Sequence, residues 1–493
     1  MNLLWIVGVP LLTGLAIVLA PARYARMIAL GGAILQMALV MGLYFSFTHE
    51  REVGNVFPLL FEKQYQWFPS LGFSLHIGVD GISVAMMMLT AFVVVAGVLV
   101  SWKMEHMKKE FFFFLTLLAF GAYGFFMSMD LMVMFFFLEV AVIPKYLFIS
   151  IWGSGNKTYS ANKLALMLMG GSAFILVGIL GLYFSLPPES RSFDMVKLAE
   201  TGIGFEIQRW VFPLVFVGFG VFTALFPFHT WVPDGHSSAP TAGSMFLAGI
   251  SMKLGGYGCL RAATYLMPEG AHEYANIIIV LASIAIIYGA FATMMQKDLK
   301  YINAYSSISH CGFVLLGIGM LTKTAITGAV FQMVSHGLMT ALFFAIIGMV
   351  YERTHTRLVA QMGGLLKVMP FIISAMFIAG FCSLGLPGLS GFVAEMTVFV
   401  GSWETQDVFH RTATVIGAMS IVVTAVYILR AVGQVAMGPL AASGEGVDDA
   451  RWYERWSVII LITGILAMGL APFWLYELVS PGVEIIVNQL AGK

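Results

Sequence analysis

The chain has 493 residues, 59% of them hydrophobic and 11% charged, and its 26 basic and 26 acidic side chains balance to zero net charge. An ordinary soluble domain carries about 25% charged residues, so this composition excludes a cytosolic enzyme, a disordered regulator and a disulfide-stapled secreted domain. Phosphate binding needs a positive excess, which also excludes nucleic acid as a partner. A polytopic membrane protein remains.

A spanning helix needs about 20 mostly apolar residues, and stretches of that length are separated here by charges, prolines and glycines. In chain order fourteen are predicted, at 2–20, 25–47, 79–102, 110–128, 130–152, 162–185, 210–232, 243–267, 274–294, 302–321, 325–351, 367–400, 411–437 and 456–479. The first is apolar and followed by Pro21, Arg23 and Arg26, the pattern of a spanning helix that stays in place rather than a cleaved signal. Two hydrophilic loops, 48–78 and 186–209, are long enough to hold structure of their own. Loops after odd-numbered stretches hold fourteen Lys and Arg against nine on the other side, which predicts both termini outside.

An ionisable side chain at membrane depth costs about 3 kcal/mol or more, so each is a functional candidate. Glu139, Lys145, Lys163, Lys253 and Glu395 fall within the stretches, and His229, His310 and His336 lie in them or at their ends. Snorkelling to a nearby interface is the lesser alternative for Lys145 and Lys163, and it explains Glu139 and Lys253 poorly because they have apolar residues on both sides. A lone histidine is more often a packing residue than a proton carrier. Acids and bases alternating through one bundle can instead relay protons along a hydrated file.

Two stretches carry helix breakers at mid-depth, Pro227 in Phe226-Pro227-Phe228-His229, and Gly385 to Gly391 around Pro387. Irregular backbone survives in a membrane only where protein buries it or it lines a wet cavity. Paired broken helices in two halves are the sequence sign of an inverted-repeat transporter, and a simple packing kink at each proline is the alternative. The fold class read from this pattern is an all-α polytopic membrane protein with two inverted five-helix repeats. The divisions are 1–109 for three N-terminal helices, 110–270 and 271–440 for the repeats, and 441–493 for a loop and the last helix. The three cysteines, Cys259, Cys311 and Cys382, sit in apolar runs without metal-ligand spacing and read as core residues. No P-loop, strand-placed GxGxxG, HExxH or GxSxG is present.

The runs Phe226 to Asp234, Ala239 to Ser244 and Lys253-Leu254-Gly255-Gly256-Tyr257-Gly258 resemble the antiporter-like subunits of respiratory complex I. So do Ala304 to His310, Ser335-His336-Gly337, Tyr351 to Arg357 and Gly385 to Glu395, and Gly78 to Ser83 selects the M-type subunit. The resemblance runs from about residue 76 to 430. It implies a proton-translocating module of the membrane arm, a non-redox subunit of an NADH or ferredoxin to quinone oxidoreductase in a bacterial inner membrane. It implies no cofactor on this chain, with FMN, iron–sulfur clusters and quinone in partner subunits, and other antiporter-like subunits and lipid as partners. Carried over by motif, Glu139 matches the span-five glutamate, Lys163 the span-six lysine, Lys253 the span-eight lysine, His336 the span-eleven histidine and Glu395 the acid of span twelve. His310 lies within a matched motif and joins them as a candidate.

One position departs from the family. The span-seven lysine that pairs with the span-five glutamate falls on Phe222, while Lys145 stands where the family has an apolar residue. The basic partner of Glu139 is therefore expected to have moved to Lys145. Six residues along one helix is about 9 Å of rise and roughly 120° of rotation, so direct contact would need a distortion at Pro144 or a bridging water. Two other readings stay open: a subunit of a cation/proton antiporter or membrane hydrogenase, and a complex I subunit with altered or lost pumping.

Overall fold

The computed structural model describes residues 2–68 and 72–492. After α1 (Leu4–Leu19) and α2 (Ala25–Glu52), the 48–78 loop forms an antiparallel hairpin, β1 (Leu60–Phe68) and β2 (Phe73–Val79), paired from Leu60 with Val79 to Phe68 with Phe73. The helices α3 (Gly81–Val100), α4 (Lys108–Met127), α5 (Leu131–Trp152) and α6 (Lys157–Ser185) follow, and then α7 (Met195–Thr201) inside the second hydrophilic loop. Next come α8 (Phe205–Phe222), α9 (Trp231–Ser238), α10 (Thr241–Phe246) and α11 (Met252–Gly258). Two π turns, Leu247–Ser251 and Cys259–Tyr265, join α10 to α11 and extend it. The chain continues through α12 (Pro268–Met294), α13 (Leu299–Gly319), α14 (Lys323–Thr354), α15 (Pro370–Ser383), α16 (Ser390–Glu404), α17 (Val408–Ala436), α18 (Trp452–Leu470) and α19 (Phe473–Leu490).

Among the described residues ten helices are long and apolar enough to cross a membrane, against fourteen stretches in the sequence. Four stretches make the difference. The first forms only the 16-residue α1, the eighth is interrupted by π turns, the twelfth is broken into α15 and α16, and α13 is made less apolar by its serines and His310. The last stretch also ends earlier than expected, because α18 stops at Leu470 and Pro472 starts a separate helix.

The start signals are the usual ones. Asp80, Asp130, Asp194 and Asp298 cap α3, α5, α7 and α13 by accepting the free backbone N–H groups of the first turn. Each five-helix unit breaks its fourth helix, after Phe222 in one and after Ser383 in the other. Because five is odd, the second unit starts on the opposite side of the bundle, which makes the pair inverted. The helices α3 and α14 are buried along nearly their whole length and pack on each other at the centre. The hairpin, α7 and α19 gather at one end of the bundle, called here the hairpin end.

Candidate functional site: a buried row of titratable side chains

Four of the expected side chains lie in one buried row. A π turn shifts the backbone ladder by one residue, and the carbonyl of Ala248, five residues before Lys253, accepts from its Nζ at 2.7 Å. The same Nζ lies 2.8 Å from His336 Nδ1 on α14. An ammonium can only donate, so with Lys253 charged this nitrogen accepts. The His336 ring stacks on that of His310 with centroids 5.3 Å apart. On its far side His310 Nδ1 stands 3.4 Å from a Glu395 carboxylate oxygen and 3.2 Å from the Gln332 amide, while its Nε2 is 3.0 Å from Ser383 Oγ. Cys311 Sγ is 3.7 Å from His336 Nδ1.

All four members are buried, at 1% exposure for Lys253 and His336, 3% for His310 and 4% for Glu395. Bases and an acid gathered in one buried file offer a proton more than one site. That is the condition for moving one along it. The second helix break supports the acid end: Gly385 has φ +72, and a Cβ there would come within 2.7 Å of Glu395 Oε2.

The remaining three have separate partners. Glu139 is half-buried on α5 and accepts from Ser172 Oγ on α6. Lys163 donates to Asp234 on α9 at 2.7 Å, an ion pair in place of free snorkelling. Lys145 is fully buried, and its Nζ has no hydrogen-bond partner among the described residues. It lies 5.5 Å from the centre of the Phe222 ring. Helix α5 continues through Pro144, and Glu139 and Lys145 form no ion pair among the described residues.

Pro227 and Pro387 sit in the two breaks, as expected. His229 stacks on Phe226 and meets Tyr288 edge-on, and neither of its ring nitrogens has a partner among the described residues.

Sequence reasoning missed several buried groups. His236 on α9 is fully buried, with both nitrogens unpartnered among the described residues, and it lies within electrostatic reach of Lys253. Lys300, counted as a loop cation, is 5% exposed and donates to the Ala239 carbonyl at 2.7 Å. Arg261, tallied with the loop cations although it falls within 243–267, is 5% exposed and ion-paired to the buried Asp80. Each cation lies near the end of a stretch, where distance along the chain cannot tell a loop side chain from an inward one. Asp234 closed a quoted motif, its only signal, and His236 fell between two motifs with no signal of its own.

A bundle of apolar helices with two broken members and a buried row of bases ending on an acid belongs to the ion-translocating class of membrane proteins. The family described as NADH:quinone oxidoreductase/Mrp antiporter, TM, matches residues 128–423. The chain belongs to that family. It is 38% identical over 477 residues to NAD(P)H-quinone oxidoreductase chain 4 1 of Synechococcus sp. (strain JA-3-3Ab), covering 95% of this chain and 89% of the relative. NADH-quinone oxidoreductase subunit M of Rickettsia bellii is 36% identical over 429 residues, 86% of this chain and 85% of that one. Among solved structures, a chain of respiratory complex I from Thermus thermophilus superposes with a TM-score of 0.88 at 26% identity, covering 99% of both chains. A chain of the Mrp complex from Dietzia sp. shares the fold, with a TM-score of 0.86 at 18% identity over 99% of this chain and 97% of that one.

Proposed function

We propose that this chain is the M-type proton-translocating subunit of a complex I type NADH or ferredoxin to quinone oxidoreductase. It carries no redox centre of its own in this reading. FMN, iron–sulfur clusters and the quinone site belong to partner subunits, and other antiporter-like subunits flank it in the lipid bilayer. The observation that carries the reading is the buried row Lys253, His336, His310 and Glu395, whose two histidines meet by stacking.

The mechanism is electrostatic. Redox chemistry elsewhere changes the charge next to Glu139, and the altered field moves a proton on or off the bases that follow. Lys145 acts in this chain as the basic partner whose place on α8 is taken by Phe222. A buried ammonium without hydrogen bonds is held only weakly by a ring face, so a small change of field at Glu139 shifts its occupancy.

The test is the proton-to-electron ratio of the assembled complex in sealed vesicles. Replacing Lys253 with Met is expected to lower the ratio while quinone reduction continues. A ratio equal to that of the unaltered complex refutes the reading. An activity that requires sodium or potassium would assign the chain to the exchanger branch of the family.

A further inference from the structure

Lys253 is followed on its own helix face by Tyr257 and Arg261, at spacings of four residues and about 6 Å of rise each. Both lie toward the hairpin end. Tyr257 is fully buried, and its hydroxyl is 2.9 Å from Ser83 Oγ at the start of α3 and donates to the Phe126 carbonyl at 3.1 Å. The Ser83 N–H donates to Asp80 Oδ1 at 2.9 Å, and the other oxygen of Asp80 pairs with Arg261. Asp80 and Arg261 form part of the wall of a 680 Å³ cavity at the hairpin end, between the hairpin loop, α7 and α19. Glu62 and Glu200 line the same cavity.

Three features of this column are unexplained by packing. Arg261 Nε is a buried polar atom with no hydrogen bond among the described residues, while Nη2 of the same guanidinium is held by Asp80 Oδ2. Groups of this kind cost about 1–3 kcal/mol each when left dry, and water in an adjoining polar cavity satisfies them. The two π turns also fall on either side of Lys253 and Tyr257, and such turns recur where a helix is shaped for function. Third, carboxylates outnumber cations in the cavity wall, which suits a compartment that receives protons.

We propose that the 680 Å³ cavity is the aqueous outlet of this subunit and that the Tyr257–Ser83 hydroxyl pair, held by Asp80 and Arg261, gates it from Lys253. The inference rests on the proton-translocating reading and adds to it a release branch separate from the His336 to Glu395 row. In the closed arrangement seen here the Lys253 ammonium is turned away from the gate, onto Ala248 and His336. When it swings toward Tyr257, its proton passes to the phenol oxygen as the phenol proton passes to Ser83. Ser83 in turn gives one to water admitted beside Asp80, the cavity-wall residue that its N–H bonds, so each hydroxyl ends as it began and Lys253 is left neutral. By the distribution of Lys and Arg, the hairpin end is the outer face.

Tyr257→Phe deletes the hydroxyl and keeps the ring. In the assembled complex in sealed vesicles it is expected to lose the same share of the proton-to-electron ratio as Lys253→Met, with the rate of quinone reduction retained. A merely structural Tyr257 would instead lower complex yield and rate together. An unchanged ratio in Tyr257→Phe beside a lowered one in Lys253→Met overturns the gate and leaves the general reading standing. An unchanged ratio in Lys253→Met overturns both. As a second measurement, Ala199→Cys in the cavity wall is expected to react with a charged, membrane-impermeant thiol reagent added at the hairpin end only. Failure to react, or reaction from the opposite end, overturns the cavity as outlet.

Discussion

The Nζ of Lys145 on α5 sits 5.5 Å from the ring centre of Phe222 on α8, so the cation reaches the position that the family fills from the opposite helix. We propose that the charge has changed its backbone of origin and kept its volume. Lys145→Met should therefore remove this subunit's contribution to the proton-to-electron ratio. The double variant Lys145→Met with Phe222→Lys should restore it, because the ammonium returns from the other side. A Lys145→Met complex that pumps normally would show that the charge is incidental.

His336 links the lysine to the second unit. His336→Gln keeps a polar side chain near Lys253 but cannot carry a proton between Lys253 and His310. The expected outcome is a lowered ratio with quinone reduction largely retained, read in the same vesicles. If His336→Gln pumps like the unaltered complex, the row is not the path.

Gly385 backs onto Glu395 in the left-handed region, with φ +72. A side chain in that conformation costs roughly 1–2 kcal/mol, and a Cβ would press on the carboxylate. Gly385→Ala should shift Glu395 away from His310 and lower both the yield of assembled complex and its ratio. Gly54 provides the control, since it also has positive φ (+87) but nothing within 4 Å of its Cβ position. Gly54→Ala should change the yield by strain alone and leave the ratio untouched.

At the hairpin end His76 Nδ1 is 2.7 Å from Asp194 and its Nε2 is 2.8 Å from Glu62. Burial disfavours the charged ring, but hydrogen bonds and charge from Asp194 and then Glu62 outweigh it and hold His76 above its ordinary range. Burial likewise works against the Asp194 carboxylate, and the His76 contact outweighs it, holding Asp194 below its usual range. A raised histidine contributes stability that is complete below about pH 6.5 and is lost as pH rises through its folded value. The lowered aspartate contributes stability present above about pH 3.9 and lost as pH falls through its folded value. The hairpin should therefore be held most firmly in mildly acidic medium and loosen toward alkaline pH. Amide exchange of residues 60–68 against pH measures this, and His76→Gln should flatten the profile.

Arg353 and Glu454 form a buried ion pair at 2.7 Å that ties the end of α14 to the start of α18. Removing one partner of such a pair costs about 3–5 kcal/mol by leaving a buried charge uncompensated. Glu454→Ala should thus reduce the thermal stability of the purified complex sharply. Lys323, paired with Glu484 at the surface, should tolerate Lys323→Ala with little change in melting temperature.

The sequence by itself determined the membrane class, the approximate limits of most helices and the two breaks. Hydropathy over about 20 residues and the dihedral limits of proline and glycine are local properties, so a single chain displays them. It also located the titratable groups in the middle of the stretches, such as Glu139 and Lys253, because a charge there stands out against an apolar background. Only the tertiary structure decided which of them touch. Lys253 and His336 are 83 positions apart in the chain and 2.8 Å apart in space, and a 3.6-residue repeat says nothing about contacts between helices. The inward turn of Arg261 and Lys300, the partner Asp234 of Lys163 and the meeting of Lys145 with Phe222 were hidden for the same reason. Burial of a side chain near a helix end depends on what packs over it, and that is set by helices far away in sequence.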